Sequence, residues 1–209
     1  MSQFVREQAG SVDTDAVLVR KYRATGDRTA FEALYKKYQG PIFALVHRMV
    51  GNEDAYDITQ EVFVKVLKAL GTFRGESSFR TWIYTIARNV CYNHCRDLKR
   101  KNSFEEPFGT NSDGDDETAD CLPDPHLSVE KITETKELQR VAGVVLATLS
   151  PEQRMLISLR DFDGMSYEEI GQIMDLSLAN VKSKIHRSRM AFKQAFQPYM
   201  DILDDYFQE

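Results

Sequence analysis

Aromatic, cationic and amide side chains recur on one stripe of the segment 80–96: Arg80, Tyr84, Arg88, Asn89, Tyr92, Asn93 and Arg96, continued by Lys99, Arg100 and Lys101. Such a set can hold single-stranded nucleic acid. Rings stack on bases, cations hold phosphates, and an amide can read a base edge. The same stripe also fits a cationic, solvated helix with amphipathic aromatics at its shoulders. A second basic set, Lys182, Lys184, Arg187 and Arg189, lies opposite the apolar Val181 and Ile185, which suits the phosphates of duplex DNA. A third set is polar and acidic. Asp57, Gln60 and Glu61 stand at i, i+3 and i+4 and so cluster on one helical face. A solvated face is the plain reading of that cluster.

Other reactive residues form no comparable set. Cys91, His94 and Cys95 bring three ligand types to one helix. A closed zinc site needs four ligands, and Cys121 lies far along the chain. Small packing cysteines beside a surface histidine are the simpler account, so no metal is expected. His47, His126 and His186 have no carboxylate or cysteine at ligand spacing. Phosphate-cradling glycine loops, nucleophile elbows and paired carboxylates are missing from the sequence. The expectation is a non-enzyme with no catalytic residue and no cofactor.

Helices must position these groups. Phe31, Leu34, Tyr35 and Tyr38 fall on one helical face. Gly40-Pro41 is expected to interrupt that helix, with Pro41 opening the next. Ile42, Phe43, Val46, Met49 and Val50 continue the stripe to Gly51. A further helix from about Ala55 to Leu70 turns Ile58, Val62, Phe63, Val66, Leu67 and Leu70 inward. After the polar loop Phe73–Ser78, capped by Ser77 or Ser78, comes a helix that buries Phe79, Trp82, Ile83, Ile86, Ala87 and Val90.

In the last third, Ser150-Pro151-Glu152-Gln153 and Ser166-Tyr167-Glu168-Glu169 both read as capping boxes. Asp163-Gly164 ends one helix. Asp175-Leu176-Ser177 makes a tight turn, and Ser177 caps a helix with a basic outer face. Two short helices joined by such a turn make a helix-turn-helix, whose second helix can enter a major groove. There is no internal repeat and no strand-like alternation.

The chain has 209 residues and a formal net charge of −5, unevenly spread. Residues 15–101 hold 16 basic and 9 acidic side chains, whereas residues 102–130 hold 9 acids and no Lys or Arg. That acidic stretch, with Pro107, Gly109, Gly114, Pro123 and Pro125, reads as a flexible linker. The expected fold class is all-α. Two small helical domains, 15–101 and 131–197, are joined by the acidic linker 102–130 and followed by a short acidic tail, 198–209. Three cysteines do not form a disulfide framework. No apolar run approaches the ~20 residues of a membrane helix. The first residues lack the apolar core of a signal peptide, so a cytoplasmic protein is expected.

Four motifs, in order, carry a resemblance. They are Asp57-Ile58-Thr59-Gln60-Glu61-Val62-Phe63, then Phe79-Arg80-Thr81-Trp82-Ile83-Tyr84-Thr85-Ile86-Ala87-Arg88-Asn89, then Leu149-Ser150-Pro151-Glu152-Gln153-Arg154, then Val181-Lys182-Ser183-Lys184-Ile185-His186-Arg187-Ser188-Arg189. Over about residues 15–197 the sequence resembles the bacterial extracytoplasmic-function (ECF, group IV) RNA polymerase sigma factors. The resemblance implies an alternative sigma factor that directs promoter-specific initiation. The first domain would be sigma domain 2, and Asp57, Gln60 and Glu61 would meet core RNA polymerase. The loop Phe73–Ser78 would cradle a flipped base, and Arg80, Trp82, Tyr84, Arg88, Asn89, Tyr92, Asn93 and Arg96 would serve the −10 element. The second would be sigma domain 4, with Lys182, Ser183, Lys184, His186, Arg187 and Arg189 on −35 DNA.

The implied partners are the β and β′ subunits of core polymerase, promoter DNA and an anti-sigma factor, with no membrane insertion. By the same resemblance the acidic linker would thread the polymerase cleft. Family members often carry Gly, Pro, Gly and Thr where this chain has Asp175, Ser177, Ala179 and Asn180, so no −35 sequence is carried over. Asp tolerates the left-handed conformation that such a turn needs. Two other functions fit parts of the sequence. One is a stand-alone helix-turn-helix transcription regulator. The other is a protein-binding adaptor that keeps the sigma fold.

Overall fold

A computed structural model describes residues 14–105 and 134–207, with side chains over 14–101 and 140–200. Its order is α1 (Thr14–Thr25), α2 (Arg28–Val50), α3 (Asn52–Leu70), α4 (Phe79–Glu105), α5 (Glu134–Thr148), α6 (Pro151–Ile157), a π-helical turn (Ser158–Phe162), α7 (Tyr167–Met174) and α8 (Leu178–Phe207). The described residues hold no strand. Most of the expected linker, and Cys121, His126 and the acids from Glu106 to Glu130 with it, lies outside the described residues. The backbone of α8 runs ten residues past 197, where the second domain was expected to end.

One expectation fails in α2. The helix passes through Gly40-Pro41 without a break. Proline inside a helix costs about 3 kcal/mol through its lost N–H and its clash with the preceding turn. The apolar face stays in phase across it. Leu34, Tyr38, Ile42, Leu45, Val46 and Met49 are all buried, and together their burial outweighs one proline. Asp27 caps the start of this helix, accepting from the Thr29 N–H at 2.8 Å. The Lys21 ammonium and Thr29 hold the Asp27 carboxyl down to about 2. At the other end Gly51 (φ 85°) turns the chain directly into α3, in a region that L side chains rarely enter.

The second domain follows its local signals. Ser150 with Gln153, and Ser166 with Glu169, make reciprocal capping boxes. Asp175 takes the left-handed conformation at φ 57° and ends α7. The turn to α8 is close. A Cβ on Gly171 would sit 2.9 Å from the Leu176 carbonyl oxygen and 3.8 Å from Val181 Cγ2. Backbone cannot step aside as a flexible side chain can. Gly171→Ala is therefore expected to destabilise the chain by about 1–3 kcal/mol, in the range for overpacking. Urea unfolding followed by circular dichroism reads this; an unchanged midpoint would mean that the α7–α8 turn opens at no cost.

The two domains do not stand apart. Met49 of α2 and Tyr84, Ala87, Val90 and Cys91 of α4 belong to one continuous buried cluster with Met155, Leu156, Leu159, Met165, Ile170 and Ile173 of the second domain. α7 lies on α4, and α6 and the π turn lie against the end of α2. This joining of the cores is not visible in either domain's periodicity.

Candidate nucleic-acid interface

Ser78 opens α4 by accepting from the Thr81 N–H at 3.0 Å. From there α4 divides into three strips. The inner strip holds Phe79, Ile83, Ala87 and Val90. Trp82 is half-buried, 5.0 Å from the Phe73 ring and 5.6 Å from Phe79, in an aromatic cluster that Tyr38 joins through Phe79 at 5.4 Å. Its indole is thus packed on the first domain's core beside the loop Phe73–Ser78. In that loop Phe73 is buried, while Arg74, Gly75 and Glu76 are exposed.

The second strip is covered. Tyr84, expected on the outer face, is 2% exposed, because the second domain packs over it. Burial and the nearby Asp163 push its phenol up to about 12. Arg80 donates to the Asp163 carbonyl oxygen at 2.6 Å and lies 3.9 Å from Glu169. Arg88 donates to the carbonyl of Ile173, near the C-terminus of α7. The third strip is open. Asn89, Asn93 and Arg96 are exposed, with Tyr92 half-buried beside them. Arg88 also donates to Asn89 Oδ1 at 3.0 and 2.7 Å, and Arg96 to Asn93 Oδ1 at 3.1 Å, so both amides are held by cations.

On α8, Lys182, Ser183, His186 and Arg187 are exposed and share one face. Arg187 donates to Ser183 Oγ at 3.3 Å. Lys184 and Arg189 have carboxylate partners. Lys184 meets both oxygens of Glu152 at 2.8 Å. Arg189 pairs with Asp161, which raises its already high pKa further.

On α3, Asp57 and Glu61 are exposed and Gln60 is half-buried, with Lys65 2.8 Å from Glu61. Three apolar residues on the same face were not foreseen: Tyr56, Val64 and Leu67, at 66%, 48% and 43% exposure. Leu67 was expected inward, and Phe43 on α2 likewise, yet both are exposed because each lies at the edge of its helix's apolar stripe. The signal for Tyr56 and Val64 was available, since both lie within four residues of Asp57, Gln60 or Glu61 on one face.

Cys91 and Cys95 are buried. Burial pushes the Cys91 thiol up to about 12, which makes it a poor nucleophile. His94 points instead to Asp54, at 3.1 Å. Among the described residues no group of His, Cys, Asp and Glu is arranged to hold a metal ion. Nor is any helix among them long and apolar enough to cross a membrane.

Comparison with known proteins adds to this geometry. The pattern of Sigma-70 region 2 matches residues 34–101, and that of Sigma-70, region 4 matches residues 142–192. The ECF RNA polymerase sigma-E factor of Escherichia coli (strain K12) is 36% identical over 185 residues, covering 88% of this chain and 95% of that protein. The chain belongs to the ECF sigma factors. It is an alternative sigma factor and directs transcription initiation.

The sigma-E factor of Haemophilus influenzae is 33% identical over 90% of this chain and 97% of its own length. The fold is also that of two solved structures. CnrH, in complex with the cytosolic domain of CnrY, gives a TM-score of 0.63 at 23% identity over 89% of this chain and 99% of that one. The sigma factor RpoE from Bartonella quintana, in complex with the anti-sigma factor NepR, gives 0.60 at 21% identity over 80% and 96%. Region 2 of this sigma factor thus comprises most of α2, α3 and most of α4, and region 4 runs from α5 into α8.

Proposed function

We propose that this sigma factor docks on core RNA polymerase through the outer face of α3, holds the melted −10 strand on α4 and the Phe73–Ser78 loop, and reads −35 duplex DNA with the N-terminal half of α8. The observation that carries the proposal is the open face of α8, where Lys182, Ser183, His186 and Arg187 stand exposed together at the end of a fixed turn. A helix entering a major groove places such N-terminal side chains at base edges and phosphates. Lys184 and Arg189 serve phosphates by exchanging one anion for another.

The face of α3 suits a protein. The carboxylates of Asp57 and Glu61 would repel DNA, whereas Tyr56, Val64 and Leu67 give them and Gln60 an apolar centre. Core polymerase, by its β′ and β subunits, is the partner the family supplies, and core carries the catalysis. Regions 15–101 and 131–197 are the working domains, with 102–130 as their acidic tether and 198–209 as a solubilising end. An anti-sigma factor is a further partner, a reading supported by RpoE, which shares this fold and was solved with the anti-sigma factor NepR, and by CnrH, solved with the cytosolic domain of CnrY. The protein works in the cytoplasm, where core polymerase is.

Gel filtration with core polymerase tests the docking face. The wild type is expected to co-migrate with core, and the triple variant Asp57→Ala, Gln60→Ala, Glu61→Ala to lose at least tenfold in affinity. Co-migration of the triple variant at wild-type affinity would remove α3 from the interface. A wild type that binds duplex DNA but not core would favour a stand-alone regulator.

A further inference from the structure

A buried carboxylate begins α1. Asp15 is 7% exposed, and its two oxygens take different donors from α2. The Lys37 ammonium lies 2.6 Å from Oδ1, and the Tyr38 hydroxyl donates to Oδ2 at 2.5 Å. Tyr38 is buried as well. Burial and the Asp15 carboxylate push its phenol far above the ordinary range, so the hydroxyl stays a donor. A carboxylate out of water must be offset by its partners, and an apolar residue would pack α1 on α2 without that cost. What the carboxylate adds is a fixed acceptor for the Tyr38 hydroxyl, and so a fixed ring.

That ring leads to the loop Phe73–Ser78. Tyr38 meets Phe79 edge-on, with ring centroids 5.4 Å apart. Phe79 is the first residue of α4, directly after the loop. It also meets Phe73, the loop's first residue, at 6.0 Å and an interplanar angle of 89°, and Trp82 at 5.6 Å. Both ends of the loop therefore stand on one aromatic base, and Asp15 holds the far side of that base. Edge-to-face contacts depend on ring geometry, so a ring that shifts carries its neighbours with it. The tip of the loop has little to hold it. Arg74 and Glu76 are exposed and 3.9 Å apart, a pair that contributes almost nothing. The tip is placed by its base.

We propose that Asp15 is a positioning residue for opening the −10 element: through Tyr38 and Phe79 it sets where the Phe73–Ser78 loop and Trp82 stand. The proposal rests on the reading of that loop as the cradle of a flipped base. It brings into −10 recognition a helix, α1, that lies ahead of the residues 34–101 that match region 2. Asp15 itself, buried and negative, does this without touching DNA. A flipped base must meet its contacts at set distances, so a cradle displaced by about 1 Å loses much of its hold. Core docking through α3 and duplex reading through α8 do not pass along this chain of rings, and they are expected to be indifferent to Asp15.

The test uses the full chain and two readouts. Trp82 is the single tryptophan, so acrylamide quenching of the free protein reads the aromatic base. In complex with core, 2-aminopurine placed in the −10 element of a promoter mapped by sequencing RNA 5′ ends reads opening. Asp15→Ala and Tyr38→Phe, with helix content kept by circular dichroism, are expected to raise the quenching constant at least twofold and to slow opening at least fivefold. Their affinities for core and for −35 duplex are expected to stay within twofold of wild type. Asp15→Asn, which keeps an acceptor for Tyr38, is expected to recover most of the opening rate. Lys37→Met, which removes the ion pair alone, is expected to open like wild type. Glu76→Ala/Ser77→Ala alters the loop directly and is expected to slow opening. Wild-type quenching and opening in both Asp15→Ala and Tyr38→Phe would overturn the proposal. Changed quenching with wild-type opening, beside a slow loop variant, would overturn it and leave the cradle standing. A loop variant that opens at the wild-type rate would overturn the cradle, and the positioning role with it.

Discussion

Arg154→Ala is expected to lower the stability of the chain by about 3–5 kcal/mol, the combined cost of a large buried side chain lost and of buried carbonyls left without a donor. Arg154 is 1% exposed, and its guanidinium fans out to three carbonyl oxygens. It donates to Ala147 at 2.6 Å and Leu149 at 3.1 Å, at the end of α5 and the turn after it, and to Met49 at 2.7 Å, near the end of α2. All three acceptors lie where helix ends leave carbonyls without an intrahelical donor. Alanine would strand them and leave a cavity the size of the side chain. Lysine would not repair the loss, since its single ammonium lacks the planar fork that spans separate acceptors. Urea unfolding of the full chain measures the change. A wild-type midpoint for Arg154→Ala would mean that water or a neighbouring donor satisfies these carbonyls.

The second large effect falls on DNA affinity. In complex with core, Lys182→Ala and Arg187→Ala are each expected to weaken binding to −35 duplex by about 10–100-fold, the equivalent of about 1–3 kcal/mol for a good base contact. The two roles separate by salt. A residue on phosphate lowers the slope of log affinity against log salt by about 1, and weakens all sequences alike. A residue on a base edge leaves the slope and relaxes the preference at one position. Lys184→Ala should do less, because the free protein already neutralises Lys184 with Glu152. Affinities equal to wild type in both variants would take the recognition face away from this part of α8.

What the sequence made legible is local chemistry. Both capping boxes, and the left-handed turn at Asp175, are set by residues within four positions of each other, and each stands as expected. The break expected at Gly40-Pro41 fails for the opposite reason. Local propensity there is overridden by the buried residues on both sides, whose partners are distant in sequence. Leu67 and Phe43 show the limit of periodicity, which places an apolar residue at the edge of a stripe without saying whether anything covers it. The proposed site divides in the same way. Lys182, Ser183, His186 and Arg187 could be put on one face by counting. That Arg80 and Arg88 would meet the second domain could not, since their partners lie more than 80 positions away. No pattern within one helix encodes such a pairing. Exposure of Tyr56 and Val64 was closer to hand, because a face that mixes carboxylates with large apolar groups is neither core nor plain surface.

The most direct test of the account is transcription by core polymerase with and without this protein on fragmented genomic DNA, with the 5′ ends of the RNA sequenced. The account predicts discrete start sites that core alone does not use, each preceded by shared −10 and −35 elements. Those starts should vanish with the Asp57, Gln60, Glu61 triple variant and fall at least tenfold with Lys182→Ala/Arg187→Ala. RNA ends indistinguishable from those of core alone, from a protein that co-migrates with core, would contradict it.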